Sequence, residues 1–100
     1  AGELEAAGAD AVGSNCSSGI DNIIEVARIM RPSTGLPLGF KPNAGLPELI
    51  DGKTVYNETP AEMAARVPEL IDAGASIVGG CCGTSPEHIA EIRKAIDALV

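Results

Sequence analysis

Three thiols carry most of the chemistry available to this chain: Cys16 alone, and Cys81 and Cys82 side by side. An odd count with an adjacent pair does not suit a disulfide scaffold, which uses cysteines in even numbers. No secretory signal is visible, so the expected setting is the reduced cytoplasm. Clustered cysteines there bind metal or do chemistry more often than they cross-link. A lone cysteine is often only a small buried hydrophobe. A functional reading therefore needs a fold that brings the three together.

An internal repeat points to such a fold. Ala7-Gly8-Ala9-Asp10-Ala11-Val12-Gly13-Ser14-Asn15-Cys16 matches Ala73-Gly74-Ala75-Ser76-Ile77-Val78-Gly79-Gly80-Cys81-Cys82 at its Ala, Gly, Ala, Val, Gly and Cys positions. Each stretch reads as a helix end closed by glycine, a short strand, a further glycine and then cysteine. Cys16 and Cys82 thus occupy equivalent places at the C-terminal ends of the first and third strands. In a (β/α)₈ barrel, alternate strands share an interior layer, and the active site lies at the C-terminal mouth. Neighbours on a strand face opposite ways, so Cys81 joins the set only if the strand has already ended. Gly79, Gly80 and Gly83 give the backbone freedom for that turn.

Three thiolates suit Zn²⁺, with three protein ligands and one open position as the catalytic pattern. A substrate thiol placed at the open position loses its proton more readily. With three sulfur donors already present, a fourth stays electron-rich. That favours alkyl transfer onto sulfur over hydrolysis, where zinc acts chiefly as a Lewis acid.

The elements that must position these thiols alternate along the chain. A helical remnant over residues 3–7 ends at Gly8. A strand over 9–12 leads into a polar, glycine-rich loop over 13–19. A helix follows over 20–31, with Ile20, Ile23, Ile24, Ala27 and Met30 on one face and Pro32 as its stop. The next strand covers 36–40 and is ended by 41–45. An excursion over 46–58 contains Asp51-Gly52 between apolar runs, a hairpin signal. Thr59-Pro60-Ala61-Glu62 opens a helix as a cap, a first-turn proline and a capping-box glutamate. Met63, Val67, Leu70 and Ile71 form its buried stripe, and Pro68 is expected to kink it. A third strand covers 76–80. Ser85-Pro86 starts the last helix, with Ile89, Ile92, Ile96 and Leu99 expected on its inner face.

This order implies an α/β fold with parallel strands and outer helices. The composition agrees. Hydrophobic residues make up 45% and aromatics 2%, so the core is built from Ile, Leu, Val and Ala, as in parallel strands under helices. One hundred residues fall short of the roughly 250 of a whole barrel. The expectation is a fragment: residues 1–100 as the C-terminal three βα units of one (β/α)₈ TIM barrel domain. The net charge of −7, from 7 basic and 14 acidic residues, with no basic cluster, argues against nucleic acid and an anionic membrane as partners. No apolar run approaches the roughly 20 residues of a membrane span.

Gly13-Ser14-Asn15-Cys16, Lys41-Pro42-Asn43-Ala44-Gly45-Leu46-Pro47 and Gly79-Gly80-Cys81-Cys82-Gly83-Thr84-Ser85-Pro86-Glu87-His88-Ile89 resemble the homocysteine S-methyltransferase family. Within it the nearest likeness is the homocysteine-binding barrel of cobalamin-dependent methionine synthases, in its C-terminal part. The resemblance implies zinc held by Cys16, Cys81 and Cys82, with homocysteine thiolate as fourth ligand and nucleophile in methionine biosynthesis. It implies that Asn43 lies near the open zinc position, as a substrate-binding residue. An Asn that only caps the turn is the competing role. The methyl donor implied is of the methylcobalamin, S-methyl or betaine type. Any cobalamin or folate belongs to the parent protein and is not bound by this segment. The missing N-terminal part of the barrel is then a required partner, and the isolated segment is expected to be inactive.

Other residues have plainer readings. His88 is read as a surface or capping residue rather than a ligand or base. Asp51 is a turn residue, Glu62 a cap, and Met30 and Met63 core. The competing function is a phosphate- or nucleotide-binding barrel fragment without methyltransferase activity, using Gly83-Thr84-Ser85 at a helix N-terminus.

Overall fold

The computed structural model describes residues 1–99, with the side chains of Cys16, Ser17 and Ser18 outside the description. Three parallel strands form the main sheet: β1 (Val12–Gly19), β2 (Leu38–Asn43) and β5 (Ala75–Val78), in the order β1-β2-β5. A short exposed helix, α1 (Gly2–Ala6), precedes β1. Helix α2 (Ile20–Met30) links β1 to β2 and runs on into a 3₁₀ turn over Arg31–Ser33. A hairpin of β3 (Pro47–Ile50) and β4 (Lys53–Tyr56) stands between β2 and the next helices, α3 (Pro60–Ala65) and α4 (Val67–Asp72). Helix α5 (Pro86–Asp97) follows β5.

All the longer helices cover one face of the sheet. Val12, Leu38, Phe40 and Ala75 point to that face. They form one apolar cluster with Ile20, Ile23, Ile24 and Ala27 of α2, Met63 of α3, Val67 and Leu70 of α4, and Ile92 of α5. Burying each of the larger side chains contributes about 1.5–3 kcal/mol relative to leaving it exposed. On the opposite face Gly13, Lys41 and Ile77 are exposed, Ile77 at 55%. The strands follow chain order and the helices share one side, so the unit is singly wound. It is an α/β fold with parallel strands and helices, as the alternation of elements implies.

The strand boundaries differ from the sequence expectation. The segment read as a loop over 13–19 belongs to β1, paired with β2 at Gly13↔Gly39, Ser14↔Phe40 and Asn15↔Lys41. Polar residues suffice there because one sheet face is open and backbone bonds, not apolar side chains, hold the pairing. Gly13 is fixed by close approach: a Cβ at this position would lie 1.8 Å from the carbonyl oxygen of Gly39. The second strand likewise runs past Phe40 to Asn43.

The helical expectations hold with two revisions. Pro68 sits in the first turn of α4, and the chain breaks into two helices at Arg66 rather than bending within one. This is where a proline that cannot accept the preceding helical turn belongs. On α5, Ile92 is buried, but Ile89 and Leu99 are 46% and 51% exposed. The helix packs on α3 and α4, and His88 takes the buried place expected of Ile89. The hairpin is present as read. Asp51 and Gly52 have φ of 50° and 77°, the two left-handed positions of a type I′ turn.

Gly13→Ala should destabilise the protein by about 1–3 kcal/mol, because β1 must move off Gly39. Gly35→Ala, where an added Cβ meets nothing within 4 Å, should be nearly neutral. Urea unfolding of the two variants checks the contrast.

Candidate functional site

Cys81 and Cys82 lie beyond the end of β5, where the strand geometry has stopped. Thr84 N–H donates to Cys81 O at 3.2 Å, closing a four-residue turn with Gly83 at its third position. Gly83 has φ of +80°, as a type II turn requires there. The ring of Tyr56 packs directly on Gly83: a Cβ added at this glycine would come within 2.3 Å of Tyr56 Cβ. The hairpin therefore leans on the cysteine turn. As expected, the turn frees the adjacent thiols from opposite-facing strand positions, and their sulfurs stand 4.0 Å apart.

The turn is tied to the end of β2. Cys81 N–H donates to Pro42 O at 3.0 Å, and Ala44 N–H donates to Cys82 O at 3.0 Å. Between them, Cys82 N–H donates to Asn43 Oδ1 at 3.1 Å. Asn43 is buried, with 4% of its surface exposed. Asn43 thus does cap the turn. It also pairs with Gly19 across the sheet, while Asn15 pairs with Lys41. The β1 stretch between Asn15 and Gly19 therefore runs beside the strand end that holds Cys82. The side chain of Cys16 lies outside the described residues. Among the described residues, no three His, Cys, Asp or Glu side chains stand close enough to share a metal ion.

His88 is not on the surface. It is 7% exposed, and both ring nitrogens are engaged. Nδ1 accepts from Ser85 N–H at 3.1 Å and lies 2.8 Å from Ser85 Oγ. With Nδ1 accepting, the neutral ring carries its proton on Nε2. That nitrogen donates to Glu58 O at 2.8 Å. Ser85 Oγ in turn accepts from His88 N–H, completing a capping box. The usual signature of this motif has Glu or Gln at the third helical position. Histidine there hides the motif from a sequence reading, although Ser85 three residues earlier is a signal. The amides of Ser85 and His88 are used inside the helix cap, which removes them as phosphate donors at the start of α5.

Glu58 carries the other notable group. Its side chain borders a cleft of about 370 Å³ lined by Gly19, Asp21, Asn22, Gly45, Glu48 and Glu58 among others. Its Oε1 is buried with no hydrogen-bond partner. Burial pushes its carboxyl above the ordinary carboxylate range. The neighbouring carboxylates of Asp21 and Glu62 add to the rise, while Arg66 and His88 oppose it.

The fold and this site define an α/β unit that presents a thiol pair and a buried asparagine at the C-terminal end of parallel strands. A sequence profile described as homocysteine S-methyltransferase matches residues 1–96, and the chain belongs to that family. It is 38% identical over 94 residues to a methionine synthase of Mycobacterium leprae (strain TN), covering 93% of this chain and 8% of that protein. A methionine synthase of Mycobacterium tuberculosis (strain ATCC 25618 / H37Rv) matches to the same extent. The crystal structure of the homocysteine methyltransferase MmuM from Escherichia coli, in its oxidized form, superposes with a TM-score of 0.68 and 30% identity. That match covers 93% of this chain and 29% of the other. The chain thus spans less than a tenth of the length of these methionine synthases.

The raised Glu58 ionisation sets a pH signature. Stability tied to its neutral form is present at acid pH and is lost as pH rises through the raised value. Glu58→Gln should therefore raise the melting temperature at pH 8 and leave it unchanged at pH 3. Thermal scans at the two pH values test this.

Proposed function

We propose that this chain carries the zinc-thiolate end of a homocysteine S-methyltransferase, which moves a methyl group onto the thiol of homocysteine to give methionine. The observation that supports this most is the pair of thiols 4.0 Å apart in the turn after β5, in a chain whose family is described by that reaction. Zinc with bonds of about 2.3 Å to sulfur holds neighbouring thiolates about 3.8 Å apart in a tetrahedral site. Cys81 and Cys82 therefore suit two adjoining corners with little rearrangement. Cys16 is assigned the third corner. Bound zinc would favour loss of the proton from a substrate thiol at its open position and keep that sulfur nucleophilic.

The chain's own residues do the positioning. The turn closed by Thr84 and Gly83 aims both thiols to one side. Asn43, beside the open position in this reading, fixes Cys82 by accepting its backbone N–H. In the transfer, the sulfur of homocysteine forms a bond to the methyl carbon as the bond from that carbon to its donor breaks. The donor is of the methylcobalamin, S-methyl or betaine type and is held outside this segment.

In this reading the three βα units are the C-terminal run of a (β/α)₈ barrel. Strand order that follows the chain supports it, as do helices confined to one face. The bare face around Gly13, Lys41 and Ile77 supports it too, since a parallel sheet is ordinarily covered on both sides. The open edges of β1 and β5 would pair with the remaining strands, and the segment alone would be inactive.

The test is metal content and turnover of the full-length protein with and without Cys82→Ser. About one zinc per chain is expected, and the variant should lose homocysteine methylation by about a hundredfold or more. A variant that kept both its zinc and its turnover would sink the proposal.

A further inference from the structure

The geometry points to His88 as a positioning residue for the cysteine turn, acting by closing a ring of hydrogen bonds. This inference rests on the zinc-thiolate reading above, in which the placement of Cys81 and Cys82 matters. Starting from Cys82, its carbonyl accepts from Ala44 N–H at 3.0 Å, and Ala44 O accepts from Glu58 N–H at 3.0 Å. Glu58 O accepts from His88 Nε2 at 2.8 Å. His88 Nδ1 accepts from Ser85 N–H at 3.1 Å. The chain from Ser85 back through Thr84 and Gly83 to Cys82 closes the circuit.

Each link joins a different part of the fold. Ala44 follows β2, Glu58 follows the hairpin, and His88 lies in the first turn of α5. The imidazole is the only side-chain link in the circuit, since Ala44 and Glu58 contribute backbone groups alone. It suits the place because its two nitrogens accept and donate in opposite directions through a rigid ring. The bonds are removed from bulk water, since Ala44 and His88 are both buried. In such surroundings a severed link leaves a polar group unpaired and is felt by its neighbours. Both nitrogens being occupied, His88 is neither a metal ligand nor a proton carrier. It sets where the turn sits, and the turn sets the thiols.

A helix cap alone and a closed ring make different predictions. Asn in place of His88 keeps an acceptor near the position of Nδ1, so it retains the cap on Ser85 N–H but falls short of Glu58 O. Gln reaches back to the N-cap N–H, as in ordinary capping boxes, and its longer side chain carries an amide NH₂ that can donate toward Glu58 O. The two variants are compared with the unmodified full-length protein in Co²⁺ titrations, read by thiolate-to-cobalt charge-transfer absorbance. Amide hydrogen exchange is measured on the metal-free forms. His88→Asn should weaken Co²⁺ binding by about 10- to 100-fold and speed exchange at Glu58 and Ala44 by about three- to tenfold, with Leu38 and Phe40 unchanged. His88→Gln should stay close to the unmodified protein in both. Unchanged Co²⁺ affinity and exchange in His88→Asn would reduce the residue to a helix cap and overturn the inference. Faster exchange with unchanged Co²⁺ affinity would overturn it as well, since the ring would then not govern the thiols. If the unmodified protein takes up no Co²⁺, the zinc reading fails, and the ring itself stands or falls on the exchange rates alone.

Discussion

The end of β2 is the anchor on which the rest of the site depends. Cys81 and Cys82 sit in a turn without regular structure, and such a turn has no fixed place of its own. Pro42 O, Asn43 Oδ1 and Ala44 N–H supply that place in three successive residues. Asn43 matters most because it is a buried side chain that accepts from Cys82 N–H while its backbone pairs with Gly19 of β1. One residue thereby links β1 to the turn after β5 that carries Cys81 and Cys82.

The sheet can hold this arrangement because its two faces are unlike. The helix-covered face carries Leu38, Phe40 and the isoleucines of α2, which fix β2 in depth and direction. On the other face the backbones of β1 and β2 approach closely, with Gly13 tucked over Gly39 O. Bulk on that side would push β1 away from β2. A tight core on one side and close backbone approach on the other leave the strand ends little room to drift. The hairpin adds a third constraint through Tyr56 on Gly83.

Much of this was legible in the sequence. The repeat marked the two strands that flank β2, although Cys16 lies within β1 rather than at its end and Cys82 lies beyond the end of β5. The apolar spacing of α2 picked out Ile20, Ile23, Ile24 and Ala27, all buried. Asp51-Gly52 announced its hairpin, because only left-handed residues close a two-residue turn of that kind. What escaped was held by backbone rather than by side-chain pattern. Residues 13–15 look like a loop because their pairing with β2 uses main-chain bonds and needs no apolar alternation. The burial of His88 was hidden because its partners, Ser85 and the carbonyl of Glu58, come from separate segments. The unpaired Glu58 oxygen was hidden for the same reason: tertiary placement, not local sequence, decides its surroundings.

The most direct test of the account is X-ray absorption at the zinc edge of the full-length protein, with and without homocysteine. The account predicts three sulfur neighbours at about 2.3 Å and a fourth when homocysteine is added. A first shell made mainly of nitrogen and oxygen would contradict the convergence of Cys16, Cys81 and Cys82 on one ion, and one unaltered by homocysteine would contradict its thiol as the fourth ligand.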